Sequence, residues 1–325
     1  MRANYTINRR NFLRAAGTFV LVGGLVACTH SYVEDRVERP TPKNSALTVF
    51  ATTGFIGDIV RNIAPDAEIT VMVGPGGNPH KYEPTLADIK KIQSSDVVLW
   101  TSPQLESLLS DQLEAQDTRQ YAVLKAITDA DSLVQPTRTA WVSATIPQSL
   151  LADPHVWMSP PIWQEVVRAV AAKLIAADEK NAETYRTNED IYLRRIDEAA
   201  AYVAEQVAAI PEDMRVLISS YDGFHYFGKE YGFEVHAAAG HAKELGDLVL
   251  ERNIKTLFPD NVSGSGGVRA VQDVVRARGG QVALADRELL VGSLGDTAPL
   301  DSYVGALRYN ADVIRAALEA KKSHT

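Results

Sequence analysis

The chain has 325 residues, 46% of them hydrophobic, which is enough to bury the cores of two lobes. Its formal net charge is −8, and −12 without residues 1–27, which hold four arginines and no acid; so acidic a chain excludes a nucleic-acid binder. The single cysteine, Cys28, excludes an intrachain disulfide.

Residues 1–28 read as an address rather than part of the fold. Asn8-Arg9-Arg10-Asn11-Phe12-Leu13-Arg14 resembles a twin-arginine export signal. The apolar stretch Ala15 to Ala27 is too short for a spanning helix. It ends in Leu25-Val26-Ala27-Cys28, which is similar to the cleavage box of bacterial lipoproteins. That similarity implies a lipidated Cys28 at the mature N-terminus and an extracytoplasmic, membrane-anchored protein. An anchor left uncleaved gives the same compartment. Residues 29–46 are polar and charged, with Pro40 and Pro42, and read as a flexible tether.

Leu47–Ala51 reads as a short buried strand, followed by a helix with Phe55, Ile56, Ile59, Val60 and Ile63 apolar. Ile69–Val73 reads as a second buried strand, closing a βαβ unit whose strands are parallel. The loop after it, Val-Gly-Pro-Gly-Gly-Asn-Pro-His-Lys-Tyr-Glu-Pro-Thr, forbids regular structure and carries His80. Ligands in open α/β sheets sit off the carboxyl ends of strands, where this loop lies. Thr85 is the expected N-cap of a helix with Asp88 three residues on. A strand over 96–100 and a helix starting at Leu105–Leu109 follow. Asp129–Pro147 is polar and hard to read. A second loop, Asp153-Pro154-His155-Val156-Trp157, again places a histidine after proline.

A helix is expected over about 162–177, and a longer one from about Asn181 to Ile210. In the longer one Tyr185, Tyr192, Ile196, Ala199, Val203, Val207 and Ile210 form one apolar stripe, stopped by Pro211. Beyond it, β and α segments alternate: strands near 215–220, 233–235, 255–258 and 281–285, and helices near 223–231, 244–252, 268–278 and 302–320. The class is therefore α/β.

Gly-Gly-Asn-Pro-His-Lys-Tyr-Glu-Pro-Thr together with Asp-Pro-His-Val-Trp resembles the manganese/zinc class of metal-binding solute receptors of bacterial ABC importers, from about Leu47 to Leu318. The resemblance implies two lobes, each a parallel-type sheet flanked by helices, joined by one long rigid helix, with a metal cleft between them. The organisation is then signal 1–28, tether 29–46, N-terminal lobe 47–180, connecting helix 181–210 and C-terminal lobe 211–325. It also implies two ligands from each lobe, His80 and His155 being the N-terminal pair. The C-terminal pair departs from the family. Where the family's third ligand, His or Glu, is expected, the run Ser220-Tyr221-Asp222-Gly223-Phe224 places Tyr221. Where its aspartate is expected, Leu290-Val291-Gly292-Ser293-Leu294-Gly295 places Gly292.

Two imidazoles alone rarely hold a divalent ion, since zinc takes four protein ligands or three with water. Tyr221 could supply a phenolate, but its free pKa is about 10. Losing that proton costs less with iron(III) than with a divalent ion. Asp222 is the neighbouring carboxylate, and Asp296 and His241 are further candidates, with His225 and His236 in the same altered region. The family's zinc members often carry a His-rich insertion, absent here between His80 and His155.

The leading reading is a lipid-anchored receptor, working as a monomer. It would pass a transition metal (Mn, Zn or Fe) to an ABC permease and its ATPase. The alternative is a metal-poor scaffold or adhesin on the same fold. An enzyme is not expected: no activated nucleophile accompanies the histidines, and neither Gly74-Pro-Gly-Gly nor Gly264-Ser-Gly-Gly matches a dinucleotide fingerprint.

Overall fold

The computed structural model describes residues 46–114, 119–127, 130–134 and 152–319. The signal with Cys28, the tether up to residue 45, and most of Asp129–Pro147 with Trp141 lie outside the described residues.

The first sheet is built from β1 (Thr48–Thr53), β2 (Glu68–Val73), β3 (Val97–Trp100) and β4 (Gln120–Ala122), all parallel in the order β2-β1-β3-β4. Central β1 and β3 are buried almost throughout, as fits their unbroken apolar runs. β2 is an edge strand in which only Met72 and Val73 are buried, so the expectation of a fully buried strand is corrected. Thr53 ends β1 and caps α1 (Gly54–Ile63), its hydroxyl accepting the Ile56 N–H at 3.4 Å. Thr85 and Asp88 form a reciprocal capping box at α2 (Leu86–Ser94).

The helix expected from Leu105 is also corrected: regular α3 spans only Ser110–Glu114. The Glu106 side chain is drawn inward instead. It accepts the Thr52 hydroxyl at 2.6 Å and the N–H groups of Thr101 and Ser102 at 3.0 Å, and this ties a turn to the ends of β1 and β3.

α4 (Pro160–Ala177) leads to α5 (Ala182–Ala208), 27 residues or about 40 Å long. The apolar stripe of α5 is buried as its spacing requires, and Ile210, beyond the helix end, is buried too. α5 packs against α1, α4 and the closing helix α9 (Tyr303–Glu319). Buried Asp58 on α1 joins these elements: it accepts the Tyr192 hydroxyl at 2.7 Å and the Tyr303 N–H at 3.1 Å.

The second lobe holds β5 (Val216–Ser219) paired with β6 (Glu234–Ala237) and β7 (Thr256–Leu257) paired with β8 (Ala283–Leu284), all parallel. A parallel bridge, Ser219 to Phe258, brings the two pairs side by side. α6 (His225–Tyr231), α7 (Ala242–Glu251) and α8 (Gly266–Ala277) flank them. The largest apolar cluster runs without a break from Leu47 through Trp163 and Tyr192 to Leu290 and Leu318. No helix among the described residues is long and apolar enough to cross a membrane.

Candidate metal-binding site

The His80 loop leaves the carboxyl end of β2 and is shaped by its own main chain. The Gly77 N–H donates to the Gly74 carbonyl at 3.1 Å, and Gly76 turns the chain at φ +72°, where L side chains are strained. Asn78 accepts the His80 N–H on its side-chain oxygen at 3.0 Å and the Lys81 N–H on its carbonyl at 3.1 Å. The histidine is thus fixed at both flanks. The Gln104 main chain, on the turn anchored by Glu106, hydrogen-bonds to its ring.

His155 is fully buried, at the start of a single 3-10 turn, Val156–Met158. Asp153 controls it twice: one carboxylate oxygen accepts the His155 N–H at 2.9 Å and its Nδ1–H at 2.6 Å. With Nδ1 donating, the lone pair is left on Nε2. The Tyr226 hydroxyl holds the Asp153 carbonyl at 2.9 Å, and Trp157 meets the imidazole edge-on while stacking on Phe55.

These two loops, 75 residues apart, bring His80 Nε2 and His155 Nε2 to 3.4 Å. Tyr221 arrives from the second lobe, its hydroxyl 3.0 Å from His155 Nε2 and its ring edge-on to that imidazole. Its N–H donates to buried Asp260 at 2.8 Å, and its carbonyl accepts the Ser219 hydroxyl at 2.8 Å. Burial, the largest cause, lowers the His80 ring to about 3, so the ring is neutral. Burial and the charges of Asp153, Asp222 and Asp260 push the Tyr221 phenol well above its usual value, so it is protonated here.

The other candidates are not brought to this point. Asp222 accepts a hydrogen bond from His225 at 2.5 Å, although its charge still acts on His80 and Tyr221. Burial would lower the His225 ring, but its hydrogen bond to Asp222 and the charges of Asp222 and Asp153 raise it. His236 is half-buried on β6 and pairs with Glu234 at 2.8 Å; His241 and Asp296 are exposed. Position 292 does face the site, but a Cβ there would lie 2.2 Å from Val262 Cγ2. Val262 therefore occupies the space a fourth ligand would use. Among the described residues no group of three His, Cys, Asp or Glu side chains converges, which leaves two imidazoles and a phenol.

Sequence reading missed Asp153 as the orienting carboxylate, and Gln104 and Asp260 as supports. Only Asp153 carried a readable signal, an acid two residues before a loop histidine.

Residues 49–317 match the family model described as zinc-uptake complex component A, periplasmic. The chain is 30% identical over 293 residues to the manganese-binding lipoprotein MntA of Bacillus subtilis, covering 84% of this chain and 90% of that protein. It is 30% identical over 317 residues to the iron-binding protein YfeA of Yersinia pestis, covering 93% and 96%. The solved periplasmic zinc-binding protein TroA of Treponema pallidum superposes with a TM-score of 0.77 at 27% identity, over 84% of this chain and 99% of that one. Two imidazoles and a phenol meeting between α/β lobes thus stand on a scaffold matched over most of its length, and the chain belongs to the periplasmic zinc-uptake component A family of metal-binding solute receptors.

Proposed function

We propose that this protein is the extracytoplasmic, lipid-anchored substrate-binding component of an ABC importer for a transition-metal ion. It takes up manganese, zinc or iron and passes it to a permease driven by its ATPase. His80 and His155 are the primary ligands, Tyr221 the third, and Asp222 an anionic neighbour held back by His225. Cys28 carries the lipid. The metal is cargo, and no chemistry is performed on it.

One observation carries this reading: the 3.4 Å between the two Nε2 atoms. Two imidazoles bound to one tetrahedral ion at about 2.05 Å stand about 3.3 Å apart. The two nitrogens are therefore spaced as ligands, with His155 Nδ1 engaged by Asp153 and the His80 ring neutral. A metal-poor scaffold or adhesin has no use for that spacing and is not favoured. Imidazole donors suit zinc and iron better than manganese, which prefers oxygen.

Elemental analysis and titration with zinc, iron and manganese test this, on wild type and on the His80→Ala, His155→Ala double variant. One equivalent bound in wild type and none in the variant is expected. Affinity no better than micromolar in wild type, or equal binding in both, would overturn the transport reading.

A further inference from the structure

Two hydrogen bonds cross the cleft from the histidine loops to one short stretch of the second lobe, Val291 to Ser293. The Gly76 N–H, four residues before His80, donates to Ser293 Oγ at 2.8 Å. The Trp157 Nε1–H, two residues after His155, donates to the Val291 carbonyl at 2.8 Å. The stretch is gripped from behind by Asn261. Its Oδ1 accepts the N–H groups of Val291 at 3.0 Å and Gly292 at 3.4 Å. Its Nδ2 donates to the Ser293 carbonyl at 2.8 Å and hydroxyl at 2.9 Å. Ser293 is 2% exposed and Trp157 1%, whereas Gly76 itself is exposed. None of these bonds uses a ligand nitrogen or the phenol, and Gly292 at the centre offers no side chain to an ion.

We propose that Val291–Ser293, braced by Asn261, is a hydrogen-bonded latch that holds both histidine loops against the second lobe. Ser293 is its positioning residue, and the ion leaves only when the Gly76–Ser293 bond opens. The latch acts on how fast the site opens rather than on which atoms bind the ion. Its role in release rests on the metal reading above; the closure itself does not.

Amide exchange on the metal-free full chain reads the closure directly. The Gly76 amide is protected in wild type. Ser293→Ala removes its acceptor and speeds its exchange about fivefold or more, while the Lys81 amide, bonded to Asn78 within the same loop, is unchanged. In zinc-loaded protein chased with a chelator, Ser293→Ala raises the dissociation rate by about the same factor and leaves the association rate unchanged. Unprotected Gly76 in wild type, or Gly76 exchange indifferent to Ser293→Ala, would overturn the latch. Faster Gly76 exchange with unaltered zinc release would overturn its role in release. Ser293-dependent protection in a wild type that binds no metal would uphold the closure and sink the metal reading instead.

Discussion

Placing a carboxylate at position 292 tests whether Val262 is what keeps a further donor out of the proposed site. A Cβ there would lie 2.2 Å from Val262 Cγ2, 3.6 Å from Val262 Cβ and 3.8 Å from Pro79 Cδ, beside His80. The Gly292 backbone is outside the left-handed region, so conformation is no obstacle and the single overlap is the valine methyl. Gly292→Asp alone overfills this packing and is expected to lose about 1–3 kcal/mol of stability. Adding Val262→Ala deletes Cγ2 and leaves an ordinary contact to Cβ. The double variant then bears only the loss of half-buried methyls, about 1 kcal/mol. With the aspartate admitted, a fourth, anionic donor joins two imidazoles and a phenol, and zinc binding tightens by at least about tenfold, or about 1.4 kcal/mol. Urea unfolding reads the first effect, and competition with a chromogenic chelator reads the second. The reasoning fails if Gly292→Asp alone is as stable as wild type and binds zinc as tightly as the double variant.

Asp153→Ala frees the His155 ring and should weaken metal binding about 10–100-fold, whereas Asp153→Asn, which keeps an acceptor for Nδ1–H, should weaken it less; calorimetric titration of both decides. Tyr221→Phe removes the phenol hydroxyl 3.0 Å from His155 Nε2 and should lower metal affinity about tenfold with little change in melting temperature, since the ring and its packing stay. Burial raises the Asp58 carboxyl against the opposing bonds from Tyr192 and Tyr303, so its contribution to stability is present below its unfolded pKa and lost as pH rises through its folded one. Asp58→Asn keeps an acceptor without that titration, so its stability relative to wild type should improve from pH 4 to pH 7; a constant difference across urea melts at both pH values would contradict this.

The two Pro-His loops were legible because each is a short, local run in which proline and glycine leave the chain no regular structure to adopt. The apolar stripe of α5 was legible because it repeats. What escaped was pairing over long separations. Ser293 meets Gly76 across 217 residues and Asn261 across 32, and no periodicity marks either pairing. The departure at Gly292 could be read from the motif, but the closeness of Val262 to that position exists only in three dimensions. The helix expected at Leu105 failed for a similar reason. Its pattern was apolar enough, yet Glu106 spends its carboxylate on the ends of two strands, and the main chain follows it.

The unbroken apolar cluster from Leu47 to Leu318 bears on how the molecule comes apart. Each lobe has strands and a smaller apolar cluster of its own, yet Trp163, Tyr192 and Leu290 belong to one shared interior that is larger than either, so each half alone would lose part of its core. Heat should therefore melt the two halves in a single transition. A fragment cut within α5 would expose on each side the face that the other half covers, and neither fragment should fold when expressed alone.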